Sequence, residues 1–432
     1  MRGLCAAFAG LATALFAAPA AAQDPLTSAA AASELREMCR EDAGRLWNID
    51  LCGPLMVVDP STRRVWTSDP DAAGLLQQAG AGWVGGLPAG VTVANTTTEW
   101  AGVRWIQVLA PLPAEEANRR VLLAHEAWHR AQAQLGLPAQ ASDCAHLEEE
   151  RARVLMRLEF RALATAMRSS GRARRQAAQE ALLFRAVRMS EFRAAAAQED
   201  ALDRNEGLAA YTGVRLGVTD NRDLYAARTL DRYDRNQALA RSYAYASGPA
   251  YGLLLDDFRP NWRRELAGVA PARLLAETLG VGGWREADIR RAGARYGMTQ
   301  IAAEERTRAE AHRARVAELR LRFDRGPRLE LPLTNMQMEF DPNAVTPLEH
   351  LGNYYATLTL RDAWGELRAT EGAMISTDYR RVVVSSPGRG AMSGPGWQLH
   401  LAPGYQLIGP DRAGIFRPVQ IPADAPADAP AR

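Results

Sequence analysis

The sequence predicts an α+β protein: a small N-terminal mixed or antiparallel sheet packed on a mainly helical domain, followed by a β-rich C-terminal domain. Three changes of texture predict it. Residues 53–111 hold short β-branched or apolar runs broken by Gly, Pro, Asn and Asp; residues 114–325 hold long Ala-, Arg-, Leu- and Glu-rich stretches of helical periodicity; residues 326–420 return to strand-like runs. With 432 residues, 47% of them hydrophobic, the chain is long enough for two cored domains. Its 52 basic residues, all Arg, face 50 acidic ones, and a net charge of +2 provides no polyanion-binding surface, which argues against nucleic acid as a partner.

The N-terminus carries an address. Arg2 supplies a positive start, Leu4 to Ala17 is small or apolar, and Ala20, Ala21 and Ala22 offer an A-x-A site before Gln23, the pattern of a signal peptide cleaved after Ala22. The apolar run falls short of the roughly 18 residues of a membrane span, and no later stretch reaches that length. The expected product is a periplasmic or secreted protein with no membrane span in the mature chain. Residues 31–46 then read as a helix. Cys39 and Cys52, in a segment rich in turn formers, suit a disulfide in an oxidising compartment, and Cys144 reads as a buried or free thiol.

The runs "GPLMVVDP", "RRVWTSD", "GVTVANTTTEW" and "GVRWIQVLAP" predict the strands of the first sheet. In the helical part, Gly136 with Pro138, Gly171, Gly213 with Gly217, and Gly248 with Pro249 read as punctuation between helices, and residues 143–200 as a helical insert. "LELPL", "YYATLTLRD", "RRVVVSS" and "WQLHLAPGYQL" predict strands of the C-terminal domain. The last residues, 421–432, form a short Pro/Ala repeat expected to be disordered.

The chemistry is concentrated in "RRVLLAHEAWHRAQAQLGLP", residues 119–138. Val121, Leu122, His125, Trp128, His129, Gln132 and Leu135 recur at helical spacing, and Gly136 and Pro138 stop the helix. Residues four apart share a helix face, so His125 and His129 can offer two imidazole nitrogens to one ion. Glu126 lies about 100° further round, beside such an ion without ligating it, where it can take a proton from water. A catalytic zinc site has three protein ligands and an open position. Two residues compete for the third place. Glu148, in "HLEEERARVL", is favoured by its spacing but belongs to a run that also suits a solvated helix start; Glu206 stands further on, in "LDRNEGLAAYTG".

HEAWH followed by N-E-G-L-A-x-Y resembles the gluzincin metallopeptidases. That resemblance implies that Glu206 is the third ligand and that one Zn²⁺ ion is the cofactor. It further implies a small sheet beside the HExxH helix, with "VRWIQVLAP" as the edge strand that aligns an extended peptide or protein substrate. The stretches that carry it are about 91–135 and 200–213. Ala210 stands where thermolysin-like members carry an Asp, and no G-x-M-E-N segment precedes the helix. Of the tyrosines in "SYAYASGPAYGLLLDDF", Tyr245 is the nominee for stabilising the oxyanion in such an enzyme and Tyr251 the next. Asn205 is a candidate for orienting the Glu206 helix, and Glu159 for a buried ion pair. His146, His312, His350 and His400 read as structural or exposed. The function expected is that of an exported zinc metallopeptidase with Glu126 as general base. The alternatives are a catalytically idle zinc-binding envelope protein and a zinc hydrolase of non-peptide amides.

Overall fold

A computed structural model describes residues 25–421 apart from 141, 237, 342, 343, 387, 389 and 390, and the chain divides into two compact units, 1–306 and 307–432. The predicted signal peptide and the Pro/Ala tail beyond Ile421 lie outside the described residues. The architecture is α+β, as the textures predict.

Helix α1 covers Pro25–Asp42 rather than 31–46. It ends early because Ala43 and Gly44 take left-handed backbone angles, with φ of 47° and 73°, that no α-helix accommodates. Cys39 and Cys52 are joined in a disulfide that ties the end of this helix to the approach to the sheet.

The six-stranded sheet comprises β1 (Leu55–Val58), β2 (Arg64–Thr67), β3 (Gln77–Ala79), β4 (Gly82–Gly86), β5 (Thr96–Trp100) and β6 (Val103–Leu109), in the order β3-β4-β2-β1-β6-β5. The β1–β6 pair is parallel and the others antiparallel. The hairpin β3–β4 escapes sequence reading because "AGAGWVGG" looks like loop. One expectation is corrected: β6 is not the edge. Ala101 and Gly102, with φ of 52° and 77°, make the tight two-residue turn that folds β5 back along β6, so β5 becomes the outer strand.

The helical part continues with α2 (Glu116–Ala131), α3 (Glu150–Met167), α4 (Gly171–Glu191), α5 (Ala195–Leu202), α6 (Leu208–Gly217), α7 (Arg222–Tyr233), α8 (Tyr243–Phe258), α9 (Pro271–Leu279), α10 (Glu286–Arg295) and α11 (Met298–Arg320). A single π-type turn, Asp203–Gly207, joins α5 to α6. An apolar core runs from α1 through the inner face of the sheet, with Leu55, Val57, Ile106 and Val108, to α2 and the helices beyond. Gly213 and the Gly248–Pro249 pair, read as breaks, lie inside α6 and α8. The glycines serve close packing rather than chain reversal.

In the second unit, two antiparallel-dominated sheets share one core. Leu329, Leu331, Val382 and Val384 of the seven-stranded sheet and Leu360, Leu367, Trp397 and Leu399 of the five-stranded sheet belong to one buried cluster, the pattern of a sandwich.

Candidate metal centre

Helix α2 carries His125, Glu126 and His129, and its orientation is fixed from several sides. Arg119 clasps Glu34 of α1 through two hydrogen bonds of 2.9 and 2.6 Å, and Arg120 reaches Glu37 at 3.0 Å. Trp128, fully buried, lies with its ring 6.0 Å from that of Trp47. Gln132 follows α2 in a 3₁₀ turn that Gly136 closes at a φ of 70°, so the sequence's stop signal acts where it is read.

Helix α6 approaches α2 backbone to backbone. A methyl group on Gly213 would sit 2.6 Å from the Val121 carbonyl oxygen, and one on Gly217 would sit 2.6 Å from the Val121 nitrogen. Only glycine permits this crossing, and the crossing sets the distance from α2 to the π-type turn that precedes α6. That turn carries Glu206. Behind it, α8 packs at Gly248 against Gly207, where a methyl on Gly248 would sit 2.4 Å from the Gly207 Cα.

The consequence is a triangle of ligand atoms. His125 Nε2 and His129 Nε2 are 3.1 Å apart, and Glu206 Oε2 lies 3.3 Å from the first and 3.4 Å from the second. Three corners of a tetrahedron with bonds of about 2.0–2.1 Å to a central zinc stand about 3.3–3.4 Å apart, so the observed edges suit that ion. Glu206 Oε2 and Glu126 Oε2 are buried and have no hydrogen-bond partner among the described residues. Two imidazole nitrogens and a buried carboxylate oxygen facing one point are the kind of donor set that suits a zinc ion. Among the described residues, this trio and the Cys39–Asp50–Cys52 group are the clusters with metal-ligand geometry, and the second has its sulfurs in the disulfide.

Electrostatics follows from burial. Desolvation pushes the Glu126 carboxyl up to about 8, with the Glu206 charge adding and His129 opposing. Burial disfavours the imidazolium of His129, but the nearby Glu206 carboxylate, then Glu126 and Gln132, outweigh it and raise the ring to about 9. For His125 burial prevails and lowers it. Glu206 is held well below the usual carboxylate range: burial opposes ionisation, but the two imidazoles outweigh it.

Of the nominated tyrosines, Tyr245 stacks on His125, centroids 5.4 Å apart at 19°, and its phenol is raised by burial and then by the Glu206 carboxylate. Tyr251 is corrected: its hydroxyl donates to Glu159 Oε1 at 2.6 Å, away from the trio. Tyr243 likewise donates to the Glu199 carbonyl at 2.9 Å. Helical phase explains the split, since Tyr245 points about 200° round from Tyr243. Glu148 is exposed at the end of a 3₁₀ turn, outside the trio. Asn205 donates to Glu206 Oε1 at 2.8 Å. Gln132, read only as part of the helix face, lies at hydrogen-bond distance from both His129 and Asn205. The sequence does not single out Tyr233, a half-buried phenol held above its ordinary value by desolvation and then by the Glu206 carboxylate, against Arg232. His350 and His400 are exposed and His312 is half-buried.

Beside the trio lies a second buried ionic cluster. Arg188 donates to Glu159 Oε2 at 2.6 Å and to both oxygens of Glu199 at 2.6 and 2.7 Å, and Arg185 donates to Asp203 at 2.7 Å. His146 Nε2 stands 2.8 Å from Glu199 Oε1. Glu159 is thus an ion-pair partner, and His146 is structural.

Comparison of the chain with protein-family models, curated proteins and solved structures finds no significant match to any of them.

Proposed function

We propose that the protein is an exported zinc-dependent metallopeptidase. The observation that carries this reading is the convergence of His125, His129 and Glu206 on one point, with the unpartnered carboxylate of Glu126 next to it. The disulfide supports export, since such bonds persist in oxidising compartments. No described helix is long and apolar enough to cross a membrane.

His125, His129 and Glu206 would hold the zinc ion, and when bound it supplies Lewis acidity and lowers the pKa of water toward ~7. Glu126 accepts the proton of the attacking water and passes it to the leaving amine. Its environment suits that task, because burial in an apolar helix face makes its carboxylate a stronger base than an exposed one. The Tyr245 hydroxyl, half-buried against His125 and Glu206, donates a hydrogen bond to the oxygen on which negative charge develops. Being far from ionisation, it keeps its proton for that purpose. The outer strand β5 offers free backbone groups for pairing with an extended substrate.

One feature favours a second reading, an idle zinc-binding protein: Glu126 and Glu206 are only 1% and 2% exposed. Activity separates the two. A peptide library incubated with the protein, with and without a chelator, yields chelator-sensitive cleavage if the peptidase reading holds. Absence of cleavage by zinc-loaded protein removes that reading.

A further inference from the structure

The trio is not held by its helices alone. Gln132 Oε1 lies 3.0 Å from His129 Nδ1; Gln132 Nε2 donates to Asn205 Oδ1 at 3.0 Å; Asn205 Nδ2 donates to Glu206 Oε1 at 2.8 Å. Two amide side chains therefore bridge one imidazole of the trio to its carboxylate, from the end of α2 to the π-type turn.

Chemistry fixes the sense of this chain. An ionised carboxylate only accepts, so Asn205 must present its NH₂ to Glu206 and its oxygen to Gln132. Gln132 must then present its own NH₂ to Asn205 and its oxygen to His129. The last link obliges His129 to donate from Nδ1, which leaves the Nε2 lone pair of the neutral ring facing the point where the ligand atoms meet. At the other end Oε1 of Glu206 is taken up by Asn205, so Oε2 is the oxygen left to face that point.

We infer that Gln132 and Asn205 are positioning residues of the metal site, carrying a one-way hydrogen-bond chain from His129 to Glu206 that selects the His129 tautomer and turns Nε2 and Oε2 toward a common ion. This rests on the zinc-site reading of the trio but not on peptide hydrolysis. Each amide accepts on one atom and donates from another while reaching both neighbours, so the inference predicts sensitivity to changes that preserve shape but remove a donor, and to a hydroxyl too short to span the gap. Asn205→Asp keeps the acceptor for Gln132 and turns a second carboxylate oxygen toward Glu206 Oε1. Gln132→Met keeps the length of the side chain and removes both bonds.

The test is competitive titration of the full-length metal-free protein with Zn²⁺, together with the absorption spectrum of the Co²⁺ form, for the parent, Asn205→Asp, Asn205→Ser and Gln132→Met. The expected result is zinc affinity lowered about 10- to 100-fold in Asn205→Asp and Gln132→Met, the usual effect of losing an outer hydrogen bond to a ligand. The cobalt spectrum should change, and the far-ultraviolet circular dichroism of the metal-free variants should match the parent. Asn205→Ser, smaller and uncharged, replaces Asn205→Asp in the comparison if the latter does not fold. Zinc affinities and cobalt spectra equal to the parent's overturn the inference. A parent that cleaves peptides while its variants bind zinc normally sinks only the positioning role; a parent that binds zinc but cleaves nothing, with weakened variants, sinks only the peptidase reading.

Discussion

Two buried ionic clusters sit side by side in the helical unit, and they are built in opposite ways. Around Arg188 both carboxylates are fully engaged: Glu159 takes Arg188 on one oxygen and Tyr251 on the other, and Glu199 takes Arg188 on both. Around His125 and His129, Glu206 and Glu126 each keep one buried oxygen without a partner. The first cluster carries its own cations. The second sets two imidazoles and a carboxylate around one point. Unpartnered buried atoms occur in both, at Arg185 Nη1, Arg188 Nη1 and Asp203 Oδ1 of the first and at Glu206 Oε2 and Glu126 Oε2 of the second, so what separates them is the groups assembled: guanidiniums among carboxylates in the first, two imidazoles around one carboxylate in the second.

The comparison can be broken most directly at Glu206. Glu206→Ala should abolish stoichiometric zinc binding while Glu148→Ala leaves it intact, as read by metal analysis of dialysed protein; the reverse result would move the ligand to Glu148. Next in size, Glu126→Gln should retain zinc and lower peptidase kcat about 10²- to 10⁴-fold, the usual contribution of a general base. A fully active variant would remove Glu126 from the mechanism.

Arg188→Met probes the other cluster. It removes the closer of the two arginines that Glu159 and Glu199 share, leaving Arg185 at 3.7 and 3.3 Å, and should cost about 3–5 kcal/mol in chemical denaturation. A loss under 1 kcal/mol would mean that the arginine does not hold the cluster together. At the α2–α6 crossing, Gly217→Ala should destabilise by about 1–3 kcal/mol through overpacking against Val121. If its zinc affinity and stability both equal the parent's, the close crossing does not govern the site.

The smallest expected effect is the pH dependence of the metal-free protein. His129 titrates near about 9 in place of 6.5, and Glu126 near about 8 in place of 4.5. Both shifts are upward, so between pH 6.5 and 9 the folded state holds more protons than the unfolded chain. The contribution of Glu126 is lost as pH rises from about 4.5 to 8 and that of His129 from about 6.5 to 9, so stability falls across pH 6.5–9 by up to a few kcal/mol. Denaturation midpoints that stay level from pH 6.5 to 9 would contradict the shifts. Zinc binds the deprotonated ligands, so its affinity should rise over the same window.

Much of this was legible in the residues. The H-E-x-x-H spacing placed two imidazoles on one helix face, because α-helical geometry is local, and the textures gave the α+β class for the same reason. The N-E-G-L-A-x-Y stretch pointed to Glu206 only through resemblance; its spacing carried no distance. What local pattern could not give was which neighbour each group meets. Glu159, Glu199 and Glu206 are alike in sequence, all glutamates in helical segments, and only folding puts two of them against Arg188 and the third against histidines. Gly213 and Gly248 read as breaks because glycine is a poor helix former, whereas tertiary packing uses the missing Cβ to let backbones touch; Gly217 does both, ending α6 and meeting Val121. Tyr251 and Tyr245 differ by helical phase against partners that no periodicity names.

The sequence by itself therefore determined the helix bearing His125, Glu126 and His129, the order of textures along the chain, and the cysteines able to pair. The tertiary structure alone decided that Glu206 meets that helix, that Gln132 and Asn205 bridge them, and that β5 rather than β6 is the outer strand. Periodicity follows from backbone geometry over a few residues. Convergence of side chains from distant segments depends on how closely whole helices pack, which no short window of sequence encodes.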